Sequence, residues 1–157
     1  MVKEHIYKLQ INWTGNNGTG TSDSSEYERS HTISVKNKID ILASSDAPFR
    51  GDISKHNPED FLLASISSCH MLWFLHLCAD NGVVVTAYTD NPVGTMIQNN
   101  NGGGNFKEVI LYPIVTTEIE IGVDKLNELH QKANSLCFIA NSLNFKVQHQ
   151  PVYKVKH

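Results

Sequence analysis

The chain has 157 residues, of which 18% are charged and 40% hydrophobic, and its formal net charge is −3. This length suits one domain, residues 1–157, which is large enough to bury a core without disulfides. The 13 Lys and Arg residues form no basic run and are outnumbered by 16 Asp and Glu. Nothing therefore drives binding to a phosphate backbone, and we expect no nucleic-acid partner.

The N-terminal segment, residues 1–9, has neither the continuous apolar core nor the small-residue cleavage site of a secretion signal. We therefore expect a cytoplasmic protein with no membrane partner. Three cysteines in a reducing compartment argue against a framework of structural disulfides. Catalytic, metal-binding and buried roles for these cysteines remain open.

Strands are predicted in the first third of the chain. Apolar residues alternate over residues 5–13 and 26–36, and the Gly- and Asn-rich residues 14–21 lie between them. This pattern predicts a β-hairpin with a flexible loop. Residues 38–43 predict a third strand, which is followed by a loop.

A long helix is predicted over residues 57–82. Asn57 is a good N-cap, Pro58 suits the first helical position, and Gly82 suits the C-terminal end. Apolar residues lie on nearly every side of this helix, so protein must surround it. A small domain covers only part of such a helix, and we therefore expect a homodimer that encloses it.

The second half predicts two more strands, a helix and a last strand. Residues 83–96 and 105–122 predict strands around the Gly-rich turn 99–104. Residues 123–132 predict an amphipathic helix that either continues or breaks before the turn of Cys137, and residues 145–155 predict a final strand. With no repeat or linker to divide the chain, the order of elements predicts an α+β fold.

Two of the three cysteines occur in helical contexts. Cys69 lies inside the long helix, and Cys137 follows 68 positions later (137 − 69), where Asn134 or Ser135 can start another short helix. Such a pair indicates redox chemistry. A single cysteine is more often inert core, and this is the interpretation we give to Cys78.

Histidines raise two alternatives. His70 and His76 lie on the cysteine helix and His130 precedes Cys137 by about two turns, so a Cys/His metal site is conceivable. The chain has no paired Cys-x-x-Cys or His-x-x-x-His set, and His70 and His76 point to different faces. A Cys–His hydrolase is also disfavoured, because Cys69 and His70 are adjacent and point about 100° apart.

Three segments resemble the OsmC family of thiol peroxidases, which includes the organic hydroperoxide resistance proteins. They are Asn57-Pro-Glu with Cys69-His70, Leu136-Cys-Phe-Ile-Ala-Asn-Ser142, and Glu28-Arg-Ser-His31. The predicted elements follow the family's order over essentially the whole chain. Phe138 stands where hydroperoxide-resistance members often have proline, and His70 after Cys69 is similar to OsmC proper.

The resemblance implies an intertwined homodimer in which antiparallel sheets wrap two central helices, with active sites at the subunit interface. By position, Cys69 is the peroxidatic thiol, Cys137 the resolving thiol, Arg29 the active-site cation and Glu59 its partner carboxylate. The Arg29 assignment depends on a strand alignment, which can slip by two residues without disturbing its pattern. The next candidate for the cation is Arg50.

The implied activity is thiol-dependent reduction of organic hydroperoxides, with hydrogen peroxide as a further candidate substrate. An external dithiol, of lipoyl type, or a low-molecular-weight thiol would regenerate the enzyme, and no heme, flavin or metal is needed. The alternative is an OsmC-like protein that binds a small hydrophobic or thiol ligand with little turnover.

Helix geometry constrains the expected site. Cys69 lies too far along its helix to gain from the N-terminal dipole, so Arg29, held by Glu59, would stabilise its thiolate. Cys137, expected early in its own helix, would gain from that dipole. Glu59 and Cys69 are ten residues apart, roughly 15 Å of helical rise. Either Glu59 serves the other subunit's site, or the helix is broken near its start.

Overall fold

The computed structural model describes residues 2–156. The chain divides into two compact units, the first ending at Phe61 and the second beginning at Leu62. Helices and sheets of both units give an α+β fold, as predicted. The strands are β1 Gln10–Trp13, β2 His31–Ser34, β3 Ile41–Ala43, β4 Val85–Thr89, β5 Val93–Gln98, β6 Gly104–Leu111, β7 Ile114–Thr117, β8 Val147–His149 and β9 Val152–Val155. The helices are α1 Pro58–Asp80 and α2 Val123–Leu136.

The first unit contains one antiparallel sheet in the order β1-β2-β3. Trp13 pairs with His31, and His31 pairs with Ala43 on its other side. The predicted hairpin and third strand are confirmed, although all three strands are shorter than predicted. In the first alternating segment only Gln10–Trp13 pairs with another strand, and residues 5–9 make no ladder with the described residues of this unit.

Both ends of α1 are closed by the residues that the sequence indicated. Asn57 and Asp60 form a reciprocal capping box: the Asp60 N–H donates to Asn57 Oδ1 at 2.8 Å, and the Asn57 N–H donates to Asp60 Oδ2 at 3.2 Å. At the other end Gly82 adopts φ 69°, and the Val83 N–H donates to the Cys78 carbonyl at 2.9 Å. This is a Schellman motif, in which glycine tolerates the left-handed conformation.

The helix α1 has more apolar surface than the rest of its own chain covers. An 18-residue window of α1 has a mean hydropathy of 1.6, enough by length and composition to cross a membrane, and only 28% of that window is buried. Core helices of soluble proteins meet the same criterion. The exposed apolar surface includes Leu72, whose exposed fraction is 63%.

The second unit has two three-stranded sheets, β4-β7-β9 and β5-β6-β8. Each is mixed, because β9 pairs parallel to β7 and β8 pairs parallel to β6. Three segments predicted as single strands, residues 83–96, 105–122 and 145–155, are each two strands. The breaks contain Pro92, Pro113 and Pro151, residues that cannot donate a ladder hydrogen bond.

The helix α2 packs on α1 through an apolar cluster. It buries Leu126, Leu129 and Ala133 against Phe74 and Leu77 of α1. Of the two predicted alternatives the helix follows the first, since it continues past Lys132 to Leu136. Neither Asn134 nor Ser135 starts a new helix, since continued burial of the α2 face outweighs their capping preference.

Candidate functional site

Cys69 and Cys137 are brought together by the packing of α1 on α2. Cys69 lies within α1 and is half-buried, whereas Cys137 caps the C-terminus of α2 and is fully buried. Both thiols are free. Their side chains interact, and this interaction is one of the causes that perturb the pKa of Cys137. Four residues were expected at the site, and the structure places two of them, Cys69 and Cys137, side by side in the second unit.

The electrostatics of Cys137 differ from expectation. It lies at the end of α2 and not at the start of a helix, so the helix dipole does not favour its thiolate. Burial, together with the neighbouring Cys69 thiol, raises the pKa of Cys137 to about 11. The Ala140 N–H donates to its sulfur at 3.4 Å and opposes this shift. The prediction of a dipole-activated Cys137 is therefore wrong.

Cys78 is a core residue, as predicted. It is 1% exposed and packs in the same apolar cluster as Phe74, Val115 and Leu129. Burial raises the pKa of its thiol to about 11. Cys78 therefore serves as an inert internal control for the reactivity of the other two thiols.

Arg29 and Arg50, the two candidate cations, line one cavity of the first unit. The cavity has a volume of about 260 Å³. Arg29 Nη2 donates to the Ser24 carbonyl at 2.8 Å, and Arg50 Nη1 donates to Ser24 Oγ at 2.9 Å. Arg50 has φ 62°, an unusual conformation for a residue with a side chain. Other lining residues include Glu28, Ser30, Ser44, Gly51 and Asp52.

The expected bond between Arg29 and Glu59 is not made within the described residues of the chain. Arg29 Nη1 donates to the Tyr27 carbonyl at 2.6 Å, and its guanidinium carbon lies 4.3 Å from the centre of the Tyr27 ring. Glu59 Oε2 is buried and has no hydrogen-bond partner among residues 2–156. A buried carboxylate oxygen without a donor is costly, and the described residues leave Glu59 Oε2 unsatisfied.

The structure also shows that α1 is not broken near its start. Glu59 and Cys69 belong to one α-helix, α1, which is assigned without interruption from Pro58 to Asp80. Ten residues of continuous helix correspond to roughly 15 Å of rise. Of the two options for Glu59, the break near the start of the helix is excluded.

Three histidines form a cluster beside the thiol pair. His70 of α1, His130 of α2 and His149 of β8 have ring centres 5.2 to 5.5 Å apart. His70 Nε2 and His130 Nδ1 are hydrogen-bonded at 2.9 Å. His70 and His130 are buried, at 1% and 0% exposure. The sequence carries no signal for His149 as a member of this cluster, because no local pattern relates it to His70, which lies 79 positions earlier (149 − 70).

Burial keeps these imidazoles neutral. Burial, with a smaller contribution from neighbouring imidazoles, lowers the pKa of His70 to about 4 and that of His130 to about 3. Burial also lowers the pKa of His149. Among residues 2–156, no three His, Cys, Asp or Glu side chains are arranged to hold a metal ion. The geometry thus gives no support to a Cys/His metal site that would include His76.

Solved structures of known proteins share this fold. An OsmC-like protein of unknown function from Vibrio cholerae is 29% identical, with a TM-score of 0.85, and the match covers 95% of this chain and 100% of that one. An organic hydroperoxide resistance protein from Elizabethkingia anophelis is 16% identical, with a TM-score of 0.69 and coverage of 98% and 100%. One from Legionella pneumophila is 13% identical, with a TM-score of 0.68 and coverage of 97% and 100%.

Sequence comparison gives the family directly. No curated protein matches the chain. The family model described as OsmC-like protein matches residues 51–151, a range that contains α1, α2 and both cysteines of the pair. That range is more than half of the 157 residues, and the chain therefore belongs to the OsmC-like protein family.

Proposed function

We propose that the protein is a thiol peroxidase that reduces organic hydroperoxides through Cys69 and Cys137. The family includes peroxidase-like redox proteins and organic hydroperoxide resistance proteins. The observation that carries the proposal is the contact of two free thiols from separate helices, one half-buried and one fully buried. That arrangement suits an attacking thiol that a peroxide can reach and a resolving thiol that only its partner can reach.

The chemistry balances without a cofactor. The Cys69 thiolate attacks one peroxide oxygen, the O–O bond breaks, and the alkoxide leaves as an alcohol after taking a proton. Cys69 becomes a sulfenic acid. Cys137 then attacks that sulfur, an S–S bond forms, and the hydroxyl leaves as water with the Cys137 proton. The disulfide is then reduced by an external dithiol of lipoyl type or by two equivalents of a low-molecular-weight thiol.

The decisive assay is consumption of a panel of peroxides by the purified protein. Lipoamide, glutathione and thioredoxin systems are supplied in parallel, with cumene and tert-butyl hydroperoxides compared against hydrogen peroxide. We expect turnover with an organic hydroperoxide and a dithiol. If no peroxide is consumed with any reductant, the peroxidase proposal fails, and the alternative of a binding protein for a small hydrophobic or thiol ligand takes its place.

We also propose that the protein acts as a homodimer in the cytoplasm. OsmC-like proteins are soluble, yet α1 leaves apolar side chains such as Leu72 exposed. The first unit likewise exposes Ile11, Leu42 and Ile41 on its three-stranded sheet. A second copy of the chain would cover such surfaces. Light scattering is expected to give twice the 17.5 kDa chain mass.

Substitution of Arg29 tests the active-site cation. We expect Arg29→Met to slow the oxidation of Cys69 by roughly a hundredfold while the fold remains intact, because the developing oxyanion loses a charged donor. Arg29→Lys keeps the charge but lacks the planar guanidinium, so its rate of Cys69 oxidation is expected to lie between those of wild type and Arg29→Met. The rate of Cys69 oxidation in a single turnover is the measurement. An unchanged rate in Arg29→Met would transfer the role to Arg50.

Mixed dimers test whether the site is shared between subunits. Because a continuous helix separates Glu59 from Cys69, we propose that each site combines Cys69 of one chain with Glu59 of the other. Glu59→Gln and Cys69→Ser homodimers are each expected to be weak or inactive. A heterodimer of the two holds one intact site, so co-expressed and purified heterodimers should recover roughly half of wild-type activity. No recovery above the parents would rule out the shared site.

A further inference from the structure

The hydrogen bond between His70 and His130 is unusual for two buried side chains. Each imidazole places one nitrogen in the 2.9 Å bond, and the opposite nitrogens, His70 Nδ1 and His130 Nε2, are buried without a partner among residues 2–156. In either tautomer, one N–H and one lone pair stay unsatisfied. Burying such a group without a partner destabilises the folded state. Two apolar side chains would fill the same space at lower cost, so stability alone does not account for the pair.

The position of the pair relates it to the thiols. His70 follows Cys69 on α1, and His130 precedes Cys137 by seven residues on α2. Seven residues make about two turns of helix, so His130 and Cys137 lie on nearly the same face of α2. The two helices therefore touch at two neighbouring points, one a thiol contact and the other the imidazole bond.

The imidazole rings are held on several sides. The His70 and His130 rings are nearly parallel, with 6° between their planes, and the 2.9 Å bond joins His70 Nε2 to His130 Nδ1. Phe74 stacks on His130 with 3.8 Å between ring centres, and His149 lies 5.5 Å from both rings. The energy of a hydrogen bond depends on its angle, whereas apolar burial is non-directional, so a bond held in this way restricts the rotation of α2 on α1.

We propose that the hydrogen bond between His70 and His130 is a positioning contact that sets α2 on α1 so that the Cys137 thiol meets Cys69. The inference rests on the proposed use of Cys69 and Cys137 as a redox pair. Neither histidine touches the substrate in this role. Both act through the geometry of the pair, and the quantity they set is the tendency of these two thiols to form a disulfide.

The disulfide equilibrium measures this tendency without peroxide. In buffers of reduced and oxidised glutathione, the two protein thiols give two electrons and two protons to oxidised glutathione, which yields one protein disulfide and two reduced glutathiones. Acid quenching, alkylation and mass spectrometry then give the fraction of Cys69–Cys137 disulfide. Cys78→Ser serves as the background for all variants, so that no other thiol of the chain competes.

A matched pair of substitutions isolates the hydrogen bond. In His130→Asn the side chain keeps polar atoms near the place of Nδ1, whereas His130→Leu has nearly the same branched shape and no polar atom. We expect His130→Leu to shift the equilibrium about tenfold toward the dithiol and His130→Asn to stay within about threefold of wild type. His76→Leu, at an exposed position on the same helix, should change nothing.

The double variant His70→Leu/His130→Leu separates positioning from stability. Replacing both partners of a buried hydrogen bond by apolar groups is close to neutral or stabilising, so urea unfolding should show a stability at least equal to wild type. The disulfide equilibrium should nevertheless shift as in His130→Leu. If the folded Leu variants keep the wild-type equilibrium, the positioning role is overturned while the peroxidase proposal stands. If wild type itself forms no Cys69–Cys137 disulfide, both proposals fail.

Discussion

Cys69→Ser is expected to lower peroxide turnover roughly a thousandfold or more, to the level of the uncatalysed reaction. The serine hydroxyl is not ionised at neutral pH and cannot take the place of a thiolate that attacks the peroxide oxygen. No other thiol of the described residues is placed to substitute for it, since Cys137 is fully buried and the pKa of Cys78 is raised to about 11. Steady-state consumption of an organic hydroperoxide with an excess of dithiol measures the loss.

Substitution of Cys137 and of Cys78 tests whether Cys69 attacks the peroxide and Cys137 resolves the sulfenic acid. Cys137→Ser should permit one oxidation of Cys69 and then stall, or proceed to sulfinic acid as more peroxide is added. Intact-mass measurement after one equivalent of peroxide should show the loss of two hydrogens in wild type and in Cys78→Ser. The loss should be absent from both Cys69→Ser and Cys137→Ser. A disulfide that includes Cys78 would contradict the assignment.

Local signals predicted the long helix because each end of α1 is decided by a few neighbouring residues. The capping box of Asn57 and Asp60 and the left-handed Gly82 depend on short-range hydrogen bonds. The strand breaks were predictable on the same basis and were missed. Pro92, Pro113 and Pro151 each lie between two strands of the structure, and proline interrupts a ladder wherever the sheet needs its N–H.

The environment of Cys137 could not be predicted in the same way. Asn134 and Ser135 favour a helix start locally, yet α2 continues through both because Leu129 and Ala133 keep its face in the core. The histidine cluster likewise depends on long-range packing. His70, His130 and His149 come from two helices and one strand, and only the tertiary fold brings them together.

Mild acid is expected to destabilise the protein because of His70 and His130. Burial lowers their pKa values to about 4 and 3, whereas an unfolded chain titrates near 6.5. Above pH 6.5 neither state is protonated and the full stability is present. As the pH falls below 6.5 the unfolded chain takes up protons that the folded chain excludes, so stability falls until the folded pKa values are reached. At pH 4.5 the loss is about 2–3 kcal/mol for each histidine.

Urea unfolding, followed by tryptophan fluorescence at fixed protein concentration, measures this loss between pH 7.5 and 4.5. Wild type and His76→Leu should lose stability steeply over this range, whereas His70→Leu/His130→Leu should lose far less, since it has no buried imidazole pair to keep neutral. Hydrogen bonds from Ser54 lower the pKa of Asp52 to about 2, so the contribution of this carboxylate is lost mainly below this pH window. If the double variant follows the wild-type curve, protonation of the unfolded chain at His70 and His130 is not the source of the acid sensitivity, because the same slope then arises without either imidazole.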